Sequence, residues 1–479
     1  MSIRIVIHRP VKRISARWPL LGVLAVCFGL LIVSAGLFLW LGPYALAQSL
    51  LLQLGLVSGF ALLLFLFRHP QAGTVLVLVG GILVSWEIGT GTQSDFNAAI
   101  LLSPVVIVVW LLHLVFDREQ RSPVPSRPMI PLYLFMTAAC LAFVVGQYPW
   151  FLAPPAPMRA QLGQLAVFLF SGGIFLAAAY HLQDTRWLKR TTYLFVGMAS
   201  VYLVSWIVPG SALDLSVFLH PAVTGGSMFW TWLVALSCGQ AVMNRELGPW
   251  PRLAMAAVAL AAVAIGLAHR EWLSGWVPAL ISVFVILLLR FPVPVLLASP
   301  VFAVLAVLRV NYLSGLVTTG DNLYSYETRV AAVKSLLPIL SANPILGLGP
   351  ANYYHYSFLK PIEGWYVKFN SHNNYVDLVA QTGFVGLACF LWFAWAVCRT
   401  AWTLQRKPLM GFERAYVSSV FAGLLASLAV AGLGDWIIPF VYNTGFAGFR
   451  TSVIPWIFMG GLVALERGLG RAAWNFRSS

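Results

Sequence analysis

Long apolar runs, recurring along almost the whole chain, restrict this sequence more than any other feature. A bilayer core about 30 Å thick needs roughly 20 apolar residues per helix, and every backbone N–H and C=O inside it must be paired within the segment. Runs of this kind lie at 20–40, 45–67, 72–88, 97–116, 130–147, 162–182, 191–209, 227–243, 253–269, 272–290, 293–309, 376–398, 414–433 and 452–467. They predict an all-α polytopic integral membrane protein with about 14 transmembrane helices (roughly 12–14). Composition agrees, because 60% of the residues are hydrophobic and 9% charged, against roughly 25% charged in a soluble domain. A soluble globular fold is excluded. The net charge of +15 is no nucleic-acid signature, since the basic residues sit between the runs.

Their placement sets a topology. With the N-terminus inside, the groups Arg118/Arg121/Arg127, Arg186/Lys189/Arg190, Arg399/Arg406/Lys407/Arg414 and Arg467/Arg471/Arg477 all fall on the cytoplasmic side, as the positive-inside rule requires. Both termini are then cytoplasmic. The stretch Arg4 to Arg17 before the first run imitates a signal peptide, but the run's length predicts an uncleaved span. Eight basic residues remain for the outer face: Arg159, Arg270, Arg309, Arg329, Lys334, Lys360, Lys368 and Arg450. Several flank or lie within 310–375, the only long hydrophilic connection. The expected organisation is a bundle over 1–309, an extracytoplasmic loop with short helices over 310–375, and further helices over 376–479. Five cysteines lie within apolar stretches without a CxxC pair, so neither a metal site nor a disulfide framework is expected.

Inside the loop, Tyr326 to Ala342 carries apolar residues at helical spacing and predicts an amphipathic helix whose first turn holds Glu327 and Arg329. It should stop before Asn343-Pro344. Gly347-Leu348-Gly349-Pro350 then turns the chain into an aromatic segment, Asn352 to Phe358. Ser371-His372-Asn373-Asn374 directly precedes the twelfth run, with Ser371 a candidate N-cap and His372 in the first helical turn. The positive end of the helix dipole keeps that imidazole neutral, as a general base requires, and also favours an anion. Arg270, between two apolar runs, and Arg329 are suited to a diphosphate at the membrane boundary. Asn373, Lys368 and Arg450 are further candidates for diphosphate contact, although the two cations, like Lys360, read first as phospholipid headgroup contacts. His355 is the rival base. No carboxylate spacing demands a metal, and no cofactor is expected.

Taken together, Arg329, then Asn343-Pro344-Ile345-Leu346-Gly347-Leu348-Gly349, then His372-Asn373-Asn374-Tyr375 and Gly383-Phe384-Val385-Gly386-Leu387 resemble the signature of the O-antigen ligase and polymerase family. The family's Arg stands about 14 residues before an NPxxGxG turn, and its HN pair about 11 before a GxxGL segment, as here. His269-Arg270-Glu271 resembles a diverged form of the family's Ser-Arg-Gly segment, and Asp435 resembles an acidic residue near its penultimate helix. Val333 and Gln381 depart from the family's usual Trp and Glu. The resemblance implies an inverting glycosyltransferase of the bacterial plasma (inner) membrane, working on the periplasmic face. It moves a glycan from an undecaprenyl diphosphate carrier to a hydroxyl, with His372 as base and Arg329 and Arg270 holding the diphosphate, and with no metal. The acceptor is lipid A-core sugar for ligases and a growing glycan for O-antigen or exopolysaccharide polymerases.

Two other classes compete. A lipid-linked oligosaccharide flippase matches the helix number, but it predicts two similar halves and charged residues near the bilayer midplane. A peptidoglycan polymerase of the shape, elongation and division group relies on an outer-loop Asp, whereas here the HN and NPxxGxG patterns dominate.

Overall fold

The structure is a computed structural model describing residues 43–89, 95–116, 126–207, 219–268, 273–309, 315 and 320–478. In chain order the helices are α1 (Pro43–Arg68), α2 (Pro70–Leu83), α3 (Ala98–Phe116), α4 (Met129–Val145), α5 (Met158–His181), α6 (Thr185–Ile207), the short α7 (Pro221–Thr224), α8 (Ser227–Met243), α9 (Pro249–Ala268), α10 (Leu273–Arg290), α11 (Pro292–Leu308), α12 (Gly320–Leu340), the short α13 (Asn352–Tyr356), α14 (Asn374–Gln405), α15 (Gly411–Val430) and α16 (Gly445–Ser478). Several open on a proline, which suits a first helical position because the N–H it lacks has no partner there. The only strands among the described residues, β1 (Glu87–Ile88) and β2 (Phe96–Asn97), form an antiparallel pair with Glu87 opposite Asn97.

An all-α multi-pass membrane protein is what the chain forms. Every apolar run from 45–67 onward overlies a helix; the first, 20–40, lies outside the described residues. Seven helices, α3, α5, α9, α10, α14, α15 and α16, are long and apolar enough to span a membrane by length and composition. The described chain divides into two compact units after Pro70. The first contains α1.

Within the second unit, α16 packs against α5, α8, α14 and α15, and 94% of its most apolar stretch is buried. Flat aromatic contacts lock it there: Trp456 stacks on Phe393 of α14 with centroids 5.4 Å apart, and Phe458 on Trp232 of α8 at 5.8 Å. At the periphery the pattern reverses. Leu260 of α9 is 71% exposed and Leu297 of α11 73%, which is costly in water and ordinary against lipid.

The loop helix differs from its expectation. α12 begins at Gly320 and not near Tyr326, so Glu327 and Arg329 sit in its middle and not in its first turn. It ends at Leu340, before Asn343-Pro344 as expected. The aromatic segment is the helix α13 followed by a 3₁₀ turn, Ser357–Leu359. These pieces share a small core of their own, in which Leu336 and Ile339 of α12 meet Leu348, Tyr353, Tyr356 and Phe440.

Candidate active site

A break in α14 organises the site. Gly383 has φ +67° and ψ −174°, which interrupts the helix. An unbroken helix would pair Phe384 N–H with Ala380 C=O and Val385 N–H with Gln381 C=O. Instead the Asn343–Gly349 turn supplies all four replacements. Leu348 N–H donates to Ala380 O (2.9 Å), Gly349 N–H to Gln381 O (3.2 Å), Phe384 N–H to Pro344 O (2.8 Å) and Val385 N–H to Ile345 O (3.2 Å). Contact is so close that a Cβ on Gly383 would lie 2.0 Å from Ile345 O, and one on Gly347 2.6 Å from Gly383 N. Both glycines also have positive φ, so both are required by conformation and by space. The NPxxGxG and GxxGL patterns are thus two halves of one joint.

The same turn reaches α4 as well. Asn352 donates to Gly146 O (3.0 Å) and Leu348 O (2.9 Å), and accepts from Ala156 N–H (3.0 Å).

The Ser-His-Asn-Asn segment divides its work among its residues. Asn373, and not Ser371, is the N-cap of α14: its Oδ1 accepts from the N–H groups of Tyr375 (2.9 Å) and Val376 (3.3 Å), and its Nδ2 donates to Gly432 O. Ser371 Oγ instead accepts from Asn373 N–H and donates to Asp377 Oδ1 (2.7 Å). Asn374 accepts from Ile437 N–H (2.9 Å) and donates to Ile438 O (2.7 Å), fastening the 431–444 connection to the head of α14. His372 precedes the cap, outside the first helical turn, with φ +47°. Such a left-handed non-glycine costs of order 1 kcal/mol or more and persists where its surroundings impose it.

That connection contributes the partner of His372. Asp435 is buried and accepts from Phe440 N–H (2.7 Å), Thr444 Oγ1 (3.1 Å) and Asn443 Nδ2 (2.5 Å). A carboxylate only accepts, so the amide nitrogen of Asn443 must face it, and its second hydrogen is directed to His372 Nδ1 at 3.2 Å. A neutral His372 held this way carries its proton on Nε2. Desolvation by the surrounding protein pushes its pKa below the usual imidazole value. Asp435 opposes that, and the Arg329 charge adds to it.

His372 opens on a cavity of about 360 Å³ whose walls include Arg329, Lys368, Asn370, Tyr354 and Tyr442. Arg329 is partly buried, its Nε has no hydrogen-bond partner, and desolvation lowers its pKa. The Asn370 Oδ1 is likewise buried and unpartnered. Among the described residues the only ion pairs are those of Glu87 with Arg450 and His220, so neither Arg329 nor Lys368 has a carboxylate partner among them. Two cations, one with an orphaned donor, face a space that no acid among the described residues lines. That arrangement suits an anion with several oxygens.

The rival histidine is fully engaged. His355 Nδ1 accepts from the Lys368 ammonium (3.3 Å), and its Nε2 donates to Tyr442 Oη (3.1 Å). Burial and the Lys368 charge both lower its pKa. Tyr442, stacked on Tyr354 with centroids 4.4 Å apart, has its phenol pushed up to about 12, mainly by burial, and stays neutral.

The structure therefore gathers His372, Arg329 and Lys368 around one cavity, while Asn373 supports them from the helix cap. Arg450 stands apart in a network of its own, fully buried, with Glu87 Oε1 accepting from its Nε (3.1 Å) and Nη2 (2.9 Å) and with Gly81 O and Val84 O accepting from Nη1. Arg270, with its neighbours His269 and Glu271, lies outside the described residues. Among those residues no group of three or more His, Cys, Asp or Glu is placed to hold a metal ion.

A family model described as O-antigen ligase matches residues 251–391. That match covers less than a third of the chain. It runs from α9 into α14, and so contains Arg329, the turn, His372 and the break at Gly383, whereas Asp435, Asn443 and Arg450 lie beyond it. No curated protein matches the chain. An enzyme of glycan transfer in a membrane is the reading that the O-antigen ligase segment and the apolar helices support together.

Asn443, Tyr442 and Asn370 were not among the residues singled out from sequence. The one signal for the first two is the polar interruption Tyr442-Asn443-Thr444 ahead of the last apolar run.

Proposed function

We propose that this chain is an inverting glycosyltransferase that moves a glycan from undecaprenyl diphosphate to a hydroxyl acceptor, and that the acceptor is lipid A-core sugar. The carrying observation is the cavity in which Arg329 and Lys368, without acidic partners, stand beside His372. In the reaction the acceptor oxygen bonds to the anomeric carbon while that carbon's bond to the diphosphate oxygen breaks. The diphosphate leaves with the electron pair and the acceptor proton passes to His372. Direct attack inverts the anomeric centre. Arg329 and Lys368 bind the diphosphate and offset the charge that grows on it as the bond breaks. Because Nδ1 already accepts from Asn443 at rest, proton uptake there follows release of that contact. Arg270 would join the diphosphate site, and the 310–375 segment would face the periplasm.

His372→Ala should lower kcat by about 10²- to 10⁴-fold, the range for a lost acid–base group, with donor affinity retained. Full turnover by that variant in a purified transfer assay rules out the assigned base. Deletion of the gene, followed by gel analysis, separates the acceptors. Carrier-linked polymer with bare lipid A-core marks a ligase, and core bearing a single repeat unit marks a polymerase. Transport of carrier-linked glycan in liposomes without covalent transfer would return the flippase reading.

A further inference from the structure

A second cavity of about 370 Å³ lies across Lys368 from the first, lined by Pro154, His355, Phe358, Tyr366 and Lys368. The wall between the two is a strap, residues 360–370, whose Ile362 faces the first space and Tyr366 the second. The strap is built and not loose. Ile362 and Trp365 exchange backbone hydrogen bonds (3.0 and 2.8 Å) across a two-residue turn, and Ser335 Oγ donates to Pro361 O (2.9 Å). Glu363 and Gly364 at its tip have φ +48° and +85°, the paired left-handed geometry of a tight hairpin turn. Beside this turn Tyr366 is 70% exposed.

We propose that this second cavity is a saccharide subsite, in which a pyranose ring lies against Tyr366 and Phe358 while its hydroxyls meet the Lys368 ammonium, which has hydrogens beyond the one given to His355. The apolar C–H face of a sugar suits the electron-rich face of an aromatic ring, and the polar groups at one edge give its hydroxyls partners. Lys368 lines both cavities, so one cation serves the sugar and the diphosphate. The inference rests on the transfer reading above.

The test uses the full chain in detergent, with methyl glycosides of hexoses and N-acetylhexosamines as probes in saturation-transfer NMR, and with inorganic pyrophosphate in a parallel titration. Sugar C–H signals are expected with the wild type, at least tenfold weaker binding with Tyr366→Ala, recovery with Tyr366→Trp, and the same pyrophosphate affinity throughout. Absence of any sugar signal in the wild type, or unchanged sugar affinity in Tyr366→Ala, overturns the subsite while retained pyrophosphate binding keeps the transfer reading. Sugar binding without pyrophosphate binding overturns the transfer reading alone. In the transfer assay a tenfold rise in KM for the acceptor assigns the ring to the acceptor, the same rise for the donor assigns it to the donor glycan, and no change in either contradicts the subsite.

Discussion

Two arginines, Arg329 in α12 and Arg450 in α16, live in opposite circumstances. Arg450 has every guanidinium nitrogen occupied by Glu87 or by main-chain carbonyls and is wholly buried. Arg329 is partly buried beside an open space, with an unpartnered Nε and no ion pair among the described residues. A buried cation whose donors are all satisfied by protein holds the fold, because removing either partner strands the other. A desolvated cation with a donor that the protein leaves unpaired has that donor to offer a ligand. The contrast separates a structural clasp from a binding group, although the sequence presents both alike as basic residues of the outer face.

The contrast is open to direct attack. Arg450→Ala should cost about 3 kcal/mol of stability, the low end for a broken buried pair since Glu87 keeps some solvent contact, and the protein that remains folded should bind pyrophosphate as the wild type does. Thermal unfolding in detergent alongside a titration reads both; weakened pyrophosphate binding with intact stability would reverse the two roles. Arg329→Ala should do the opposite, lowering kcat/KM by about 10²- to 10³-fold, as for other single groups that stabilise a developing negative charge, with an unchanged unfolding midpoint. A midpoint that falls as far as that of Arg450→Ala would make Arg329 structural as well.

Sequence alone exposed the helices because a bilayer imposes a length and a polarity that no other environment demands. It exposed the Arg, turn and HN spacing as a pattern, yet not the reason for it, since the joint at Gly383 depends on backbone groups from two segments meeting in space. Cap assignment failed for a local reason. Ser371 and Asn373 are both good N-cap residue types, and only the left-handed turn at His372 decides between them. The start of α12 was misplaced because Gly320 to Ser325 reads as polar loop until the helix continues through it. Partners of Arg450 and His372 were out of reach, lying 363 and 71 residues away in the chain.

Asn443 offers a smaller perturbation on the Arg329 side. If it acts by holding His372 in place through Nδ1, Asn443→Ala should lower kcat about tenfold, roughly the 1.4 kcal/mol of one good hydrogen bond, and leave KM for the donor alone. The ¹⁵N shifts of the His372 ring provide a readout that mere loosening would not mimic. In the wild type they should report the Nε2–H tautomer, and in Asn443→Ala a mixture. A wild-type spectrum showing Nδ1–H would contradict the orientation that Asp435 imposes on the amide.

The finest discrimination is by pH. Desolvation sets the His372 pKa below the ordinary value of about 6.5, Asp435 raises it, and Arg329 lowers it, with Lys368 a second cation on the same cavity. The acid limb of kcat/KM, which reports the free enzyme, should therefore lie below that value. A nearby positive charge disfavours the imidazolium, so removing it favours protonation and moves the limb to higher pH. Arg329→Gln, followed on its residual activity, should shift the limb upward. Arg450→Lys should leave it in place, because Arg450 is not among the charges acting on His372. A limb that moves with Arg450 and ignores Arg329 would mean that the guanidinium beside the base has been misidentified.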